Sequence, residues 1–325
     1  MAQRASEVAS APPPPQVVER GPDRTFRLLT LVSGLLVLFI IIAIGVYLFY
    51  DAQPALSANT ANFWTETDWF PNEDPPFFGI AALVYGTIIT SVIALVIGFP
   101  IAFGIALFIS HYAPRRLARP MAWTIDLLAA VPSVVFGLWG IFYLNGKVIG
   151  VSEWLNSWFG WIPIFASDGT YGRSILLAGT VLAIMIVPII ASLSREVFSR
   201  TPSFHEEAAL ALGATRWEMI RMAVLPYGRA GVVAATMLGL GRALGETIAV
   251  AMVLSANFEI SIRILEPGGN TIAANIANGF AEANENGRGA LIASGLVLFG
   301  ITLIVNVVAR LIIYRKREFA GTTAA

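Results

Sequence analysis

The chain has 325 residues, 56% of them apolar and 13% charged, with zero formal net charge. Soluble domains carry about 25% charged residues, so the composition excludes an ordinary water-soluble enzyme and indicates an integral membrane protein. With no cysteine and two histidines, thiolate and disulfide chemistry are excluded, and no His/Asp/Glu cluster has metal-ligand spacing.

Residues 1–24 are polar, include Pro12 to Pro15, and suit a disordered cytoplasmic tail. A membrane domain of helices follows over 25–319, and 320–325 form a short C-terminal tail. The first span covers about 28–50; it is longer than a signal-peptide core and no small-x-small cleavage site follows. Asp51 to Phe78 is a loop with five acidic residues, no lysine or arginine, and an interface-seeking set of Phe and Trp side chains.

The second span, about 79–110, exceeds one bilayer thickness and contains Pro100. The third, about 120–144, contains Asp126 near its start and Val131-Pro132-Ser133 near its middle. Pro132 lacks a backbone donor, so it bends the helix for packing or opens backbone toward a pathway. Asn145 to Arg173 is loop-like, with Trp154, Trp158 and Trp161 spaced for a short interfacial helix. The fourth span covers about 174–193, the fifth about 230–257, and the sixth about 289–314. The fifth is rich in glycine, which lets helices approach closely in lipid.

Between the fourth and fifth spans lies the polar stretch 201–226. Ser203 with Glu206 three residues later has capping-box spacing. Ala208, Ala209 and Leu212 then share a face, and Gly213 ends the turn or lets another backbone come close. The stretch has the marks of a short amphipathic helix held at a membrane surface.

Charge asymmetry orients the spans. Arg4, Arg20, Arg24 and Arg27 precede the first span; Arg115, Arg116 and Arg119 follow the second. Arg195, Arg200, Arg216, Arg221 and Arg229 lie within or beside stretch 201–226, and Arg310, Arg315, Lys316 and Arg317 close the chain. The opposite side holds only Lys147, Arg173, Arg263 and Arg288. The positive-inside rule therefore puts both termini and stretch 201–226 in the cytoplasm.

Two charges fall inside the fifth span. Arg242 and Glu246 are four residues apart, on one helical face, and Thr247 follows. Charges at that depth are costly and usually face a polar interior. A guanidinium suits an oxyanion, with Glu246 as its partner when no substrate is bound; a purely structural ion pair is the alternative. Asp126 lies closer to the interface and suits a structural role. No phosphate loop occurs, since Gly146-Lys147 lacks the rest of the pattern, so ATP hydrolysis would belong to another chain.

Glu207-Ala208-Ala209, Gly213 and Leu225-Pro226 resemble the EAA loop of ATP-binding-cassette (ABC) importer permeases, with Ala223 where that family usually has isoleucine. Together with LGRALGET around Arg242 and the segment Val131-Pro132-Ser133-Val134-Val135-Phe136-Gly137, the chain resembles the PstC-type permeases of phosphate importers. The resemblance implies an all-α integral membrane protein, six transmembrane helices in a type I ABC importer-like bundle, in a prokaryotic cell membrane. It implies import of inorganic phosphate, with Glu207, Ala208, Ala209 and Gly213 as the ATPase-coupling set. The residues themselves suggest Arg242, Glu246, Thr247, Pro132 and Ser133 for the pathway. The implied partners are a PstA-type permease, two PstB-type ATPases holding ATP-Mg, and an external PstS-type phosphate-binding protein. The permease itself has no catalytic residue and no cofactor. An ABC permease for sulfate, molybdate or phosphonate, and an ion-coupled secondary transporter, are the competing readings.

Overall fold

A computed structural model describes residues 21–321. They form two compact units, one ending at Tyr47 and the other starting at Leu48. The expected tail 1–24 lies outside the described residues except for its last four, which open helix α1 (Gly21–Ala58). Of the expected C-terminal tail, 322–325 lie outside as well. In the first unit α1 is a single run of apolar residues, with Leu29, Leu36 and Phe39 exposed.

The second unit is nearly all helix. After the end of α1 comes a two-stranded hairpin, β1 (Trp69–Phe70) against β2 (Phe77–Phe78), with Trp69 opposite Phe78. Helix α2 (Ala81–Leu107) continues as a π-helical turn over Phe108–Tyr112. Helix α3 (Arg115–Ala129) stops at the link 130–132. Helices α4 (Ser133–Trp139) and α5 (Asn145–Phe159) are joined without interruption by a π-turn. Helix α6 (Ile175–Ser199) leads to α7 (Ser203–Ala211) and α8 (Arg216–Met219). A π-turn over Ile220–Val224 passes into α9 (Leu225–Gly245), followed by α10 (Ile248–Val253), α11 (Ile272–Gly279) and α12 (Glu285–Gly321).

Six helices among the described residues are long and apolar enough to cross a membrane: Arg24–Ala58, Ala81–Tyr112, Ser133–Phe159, Ile175–Ser199, Arg216–Gly245 and Glu285–Leu311. The third and the fifth differ most from the expected boundaries. The third long helix begins at the Pro132 break and runs to Phe159, so the expected loop from Asn145 is helical at first. No proline interrupts the chain between Ser133 and Pro163, and the glycines there are tolerated within a helix. Trp154 and Trp158 thus lie on the end of a long helix rather than on a separate interfacial one. The fifth helix begins earlier than expected, because the π-turn over Ile220–Val224 carries it into Leu225-Pro226; Pro226 thus lies inside a continuous helix, directly after the π-turn.

Helix α6 is the centre. Leu177, Leu182, Ile186 and Ile190 are fully buried, and α2 and α9 pack along its sides. Within lipid such packing rests on dispersion between closely fitted side chains rather than on escape from water. At Gly137, α4 meets α10 so closely that an added Cβ would lie 3.0 Å from the Ala249 Cα and would press the two helices apart.

Candidate functional site

The residues singled out by the sequence sit where helices stop and restart. The first such joint joins α7 to α8. Pro202 precedes α7, and the capping box expected from Ser203 and Glu206 is absent: no side chain caps this end. Glu206 instead approaches His111 at the end of the second long helix, with Oε1 3.4 Å from Nε2. Helix α7 has no buried residue. Glu207 and Ala208 are exposed, and Ala209 is half-buried against a cluster that includes Ala106, Phe198 and Ile220. Phe204 and Leu212 are 74% and 90% exposed. The face expected from Ala208, Ala209 and Leu212 therefore splits, with Ala209 turned to the bundle.

Gly213 closes α7 with φ +85°, the left-handed region that side chains with a Cβ resist. Its N–H donates to the Leu210 carbonyl at 3.0 Å. The capping box forms two residues later. Glu218 N–H donates to Thr215 Oγ at 3.4 Å, while Thr215 N–H donates to Glu218 Oε2 at 2.8 Å. Thr215-x-x-Glu218 carries the same spacing as Ser203-x-x-Glu206 and was readable in the sequence on the same grounds.

The second joint separates α9 from α10. Arg242 lies in the last turn of α9, half-buried. The helix ends at Gly245, and Glu246 takes extended backbone, φ −68° and ψ 124°. The two residues thus do not continue along one helical face, and among the described residues no ion pair joins them. The Glu246 carboxylate instead accepts from Ala249 N–H at 3.3 Å, across the first turn of α10. Thr247 Oγ donates to the Gly245 carbonyl at 3.1 Å. Glu246 and Thr247 are half-buried, while Ala249, Val250 and Val253 are fully inside.

The third joint is the link through Pro132, which takes extended backbone before Ser133 opens α4. Pro132 is exposed and Ser133 half-buried. Helices α4 and α10, which start after the second and third joints, pack on one another. The structure thus associates the segments that follow Pro132 and Glu246, two regions 114 positions apart by their residue numbers. The coupling set Glu207, Ala208, Ala209 and Gly213 lies on the separate α7 joint.

Asp126 has the structural role expected of it: Ser192 Oγ donates to Oδ1 at 2.6 Å, and Arg195 lies 3.4 Å from Oδ2, tying α3 to α6. Among the described residues no three His, Cys, Asp or Glu side chains are grouped so as to hold a metal ion. No local pattern signals the His111–Glu206 contact, whose partners are 95 residues apart.

The model of a family described as binding-protein-dependent transport system inner membrane component matches residues 98–318. A Mycobacterium tuberculosis protein named phosphate transport system permease protein PstC 2 is 47% identical over 295 residues, covering 89% of this chain and 91% of its own. A Xylella fastidiosa protein named phosphate transport system permease protein PstC is 41% identical over 303 residues, covering 92% and 93%. Among solved structures, a bacterial ABC transporter involved in the import of the acidic polysaccharide alginate superposes with a TM-score of 0.52 at 17% identity, over 73% of this chain and 79% of that one. At that identity the likeness concerns the fold alone.

Proposed function

The chain belongs to the family of binding-protein-dependent transport system inner membrane components, and from that premise we propose that it is the permease subunit of an ATP-driven importer of inorganic phosphate. It is a multi-pass, all-α membrane protein with the type I ABC importer fold. The observation that carries the phosphate assignment is the extent of the likeness to the named phosphate permeases: it spans nearly the whole chain, all three joints included.

In this reading the protein resides in a prokaryotic inner membrane with both termini in the cytoplasm. It forms half of the pathway beside a PstA-type permease, receives phosphate from an external PstS-type protein, and docks two PstB-type ATPases that hold ATP-Mg. Helix α7 is the handle. Its exposed Phe204, Glu207, Ala208 and Leu212 meet the ATPase, and Ala209 transmits the motion to the cluster around Phe198 and Ile220. Arg242 serves the anion in the pathway, because a bare phosphate cannot cross hydrocarbon and a guanidinium offers charge together with planar donors. Glu246, Thr247, Pro132 and Ser133 shape the same region by holding the helix breaks.

Labelled-phosphate uptake into vesicles holding the reconstituted complex, with sulfate and molybdate as competitors, tests the substrate. Unlabelled phosphate should abolish uptake and the other oxyanions should not; equal competition by sulfate overturns the phosphate assignment. Reporter fusions at Ala11, Asp74, Gly160 and Thr322 test the orientation, with Ala11 and Thr322 expected on one side and the other two opposite.

A further inference from the structure

We infer that the cavity between α3, α6 and the end of the second long helix holds the phosphate diester of an anionic phospholipid, with Arg119 as its cation and Trp123 beside its glycerol. The inference goes beyond the transport reading and rests on the membrane-spanning fold. The orientation proposed above adds that the lipid belongs to the cytoplasmic leaflet.

The cavity measures about 450 Å³, and its lining includes Ser110, Arg119, Trp123, Asp126, Arg195 and Glu196. Its two carboxylates are already matched. Ser192 Oγ donates to Asp126 Oδ1, and Arg195 lies 3.4 Å from Oδ2. Arg200 pairs with Glu196 at 2.9 Å. Arg119 has no ion pair among the described residues, and neither has Arg116 one turn before it. The wall is therefore left with the charge of Arg119. Helix α3 adds to it, with Arg115, Arg116 and Arg119 in its first two turns against the single carboxylate Asp126. The hydroxyls are spent. Ser110 Oγ donates to the Ala106 carbonyl at 2.6 Å, and Ser199 Oγ to the Glu196 carbonyl at 2.9 Å. The donors left on the wall are the Arg119 guanidinium and the Trp123 indole N–H, four residues apart on one face of α3. A planar fork of fixed charge takes two oxygens of a phosphate.

The apolar side of α3 selects a lipid over a soluble anion. Leu117, Trp123 and Leu127 are 54%, 66% and 72% exposed. In a bilayer such side chains meet acyl chains, and an arginine and a tryptophan beside them reach headgroup level. A soluble anion would use the cation and leave the apolar surface idle; a phospholipid engages both. A basic pocket between helices at the membrane surface is the form that anionic headgroups fit. Zwitterionic lipid supplies the same acyl chains but no net charge to answer Arg119.

The test places the assembled complex in bilayers of phosphatidylcholine with a varied share of phosphatidylglycerol, with bromine on the chains of one lipid or the other. Tryptophan fluorescence is read as the difference between the unaltered protein and Trp123→Phe, which isolates Trp123. Brominated phosphatidylglycerol should quench Trp123 at a mole fraction about fivefold lower than brominated phosphatidylcholine, the effect of one arginine near the surface. Arg119→Gln should remove that preference, Arg119→Lys should keep part of it, and Arg116→Gln should lower it less. Millimolar inorganic phosphate should leave it unchanged. Equal quenching by the two lipids in the unaltered protein overturns the inference, and this comparison decides even if Arg119→Gln fails to insert. An unchanged preference in Arg119→Gln overturns it too, because the preference would then belong to the general positive surface. Displacement by inorganic phosphate would make this a site for a free anion and overturn the lipid assignment. Absence of quenching by either lipid would mean that another subunit covers α3, with the same result. The readout is independent of transport, so its failure leaves the phosphate-importer reading untouched.

Discussion

The joint at Gly213 and the joint at Glu246 solve one problem in two surroundings. In each, a helix stops and another begins within a few residues, and a glutamate satisfies backbone N–H near the restart: Glu218 reaches Thr215 N–H, and Glu246 reaches Ala249 N–H. The first joint is exposed. Around it Leu212 is 90% exposed and α7 has no fully buried residue. The second is let into the bundle, against the fully buried Ala249, Val250 and Val253. At the exposed joint polar groups are cheap and the apolar side chains are the anomaly, which is the usual signature of a surface awaiting a partner. At the inner joint the polar groups are the anomaly, because a charge in the span is retained only where it faces something polar. In the proposed function the same local device serves a docking handle in one place and a lining of the pathway in the other.

The comparison breaks most decisively at Arg242. Arg242→Gln is combined with Glu246→Gln, which leaves both sites neutral and nearly isosteric. If Arg242 serves the anion, the double variant inserts and assembles but loses phosphate uptake by at least about tenfold, the consequence of losing a charge-assisted hydrogen bond of about 1.5–3 kcal/mol. Arg242→Lys keeps the charge without the planar fork and should fall between. Near-normal uptake by the double variant would leave the inner joint as structural packing only. Because no ion pair between Arg242 and Glu246 occurs among the described residues, Glu246→Gln alone should insert normally; its carboxylate only supports the start of α10.

At the exposed joint the predicted effect falls on coupling, not on assembly. Gly213→Trp places a Cβ and an indole at φ +85°, a strained conformation costing of order 1–3 kcal/mol, and it misdirects α8 relative to α7. Glu207→Lys reverses a charge on the outer face without touching the bundle. Both variants should insert in normal amounts and hydrolyse ATP, while phosphate moved per ATP falls severalfold. Full uptake with normal stimulated hydrolysis in both would take this segment out of the mechanism.

The two joints also differ in how far the sequence disclosed them. Stretch 201–226 was visible as a polar island between apolar runs, because burial is what sets hydropathy, and Gly213 marked its turn. The break at Pro132 followed from the missing N–H. The break at Gly245–Glu246 did not, since Ala-Leu-Gly-Glu-Thr continues a helical period and glutamate is a good helix former. There tertiary packing decided: α10 turns to lie along α4 at Gly137, an approach no local pattern encodes. The capping boxes tell the same story in small. Ser203-x-x-Glu206 and Thr215-x-x-Glu218 look alike in the sequence, but Glu206 is taken by His111 from far along the chain, and only Glu218 is left to its own helix.

That capping box supplies the smallest expected effect. Thr215→Ala removes the hydroxyl that accepts from Glu218 N–H and leaves the Thr215 N–H bond to Glu218 in place. Loss of an N-cap hydroxyl costs about 1 kcal/mol, roughly a fivefold shift in a local folding equilibrium. Helix α8 continues without a break through the π-turn into α9, so that cost frays the first turn and does not unfold the bundle. Insertion should be unchanged, and coupling should decline far less than in Gly213→Trp. Thr215→Ser, which keeps the hydroxyl, should restore it. A loss in Thr215→Ala as large as in Gly213→Trp would mean that the handle is oriented from α8, and that Gly213 only allows the chain to pass.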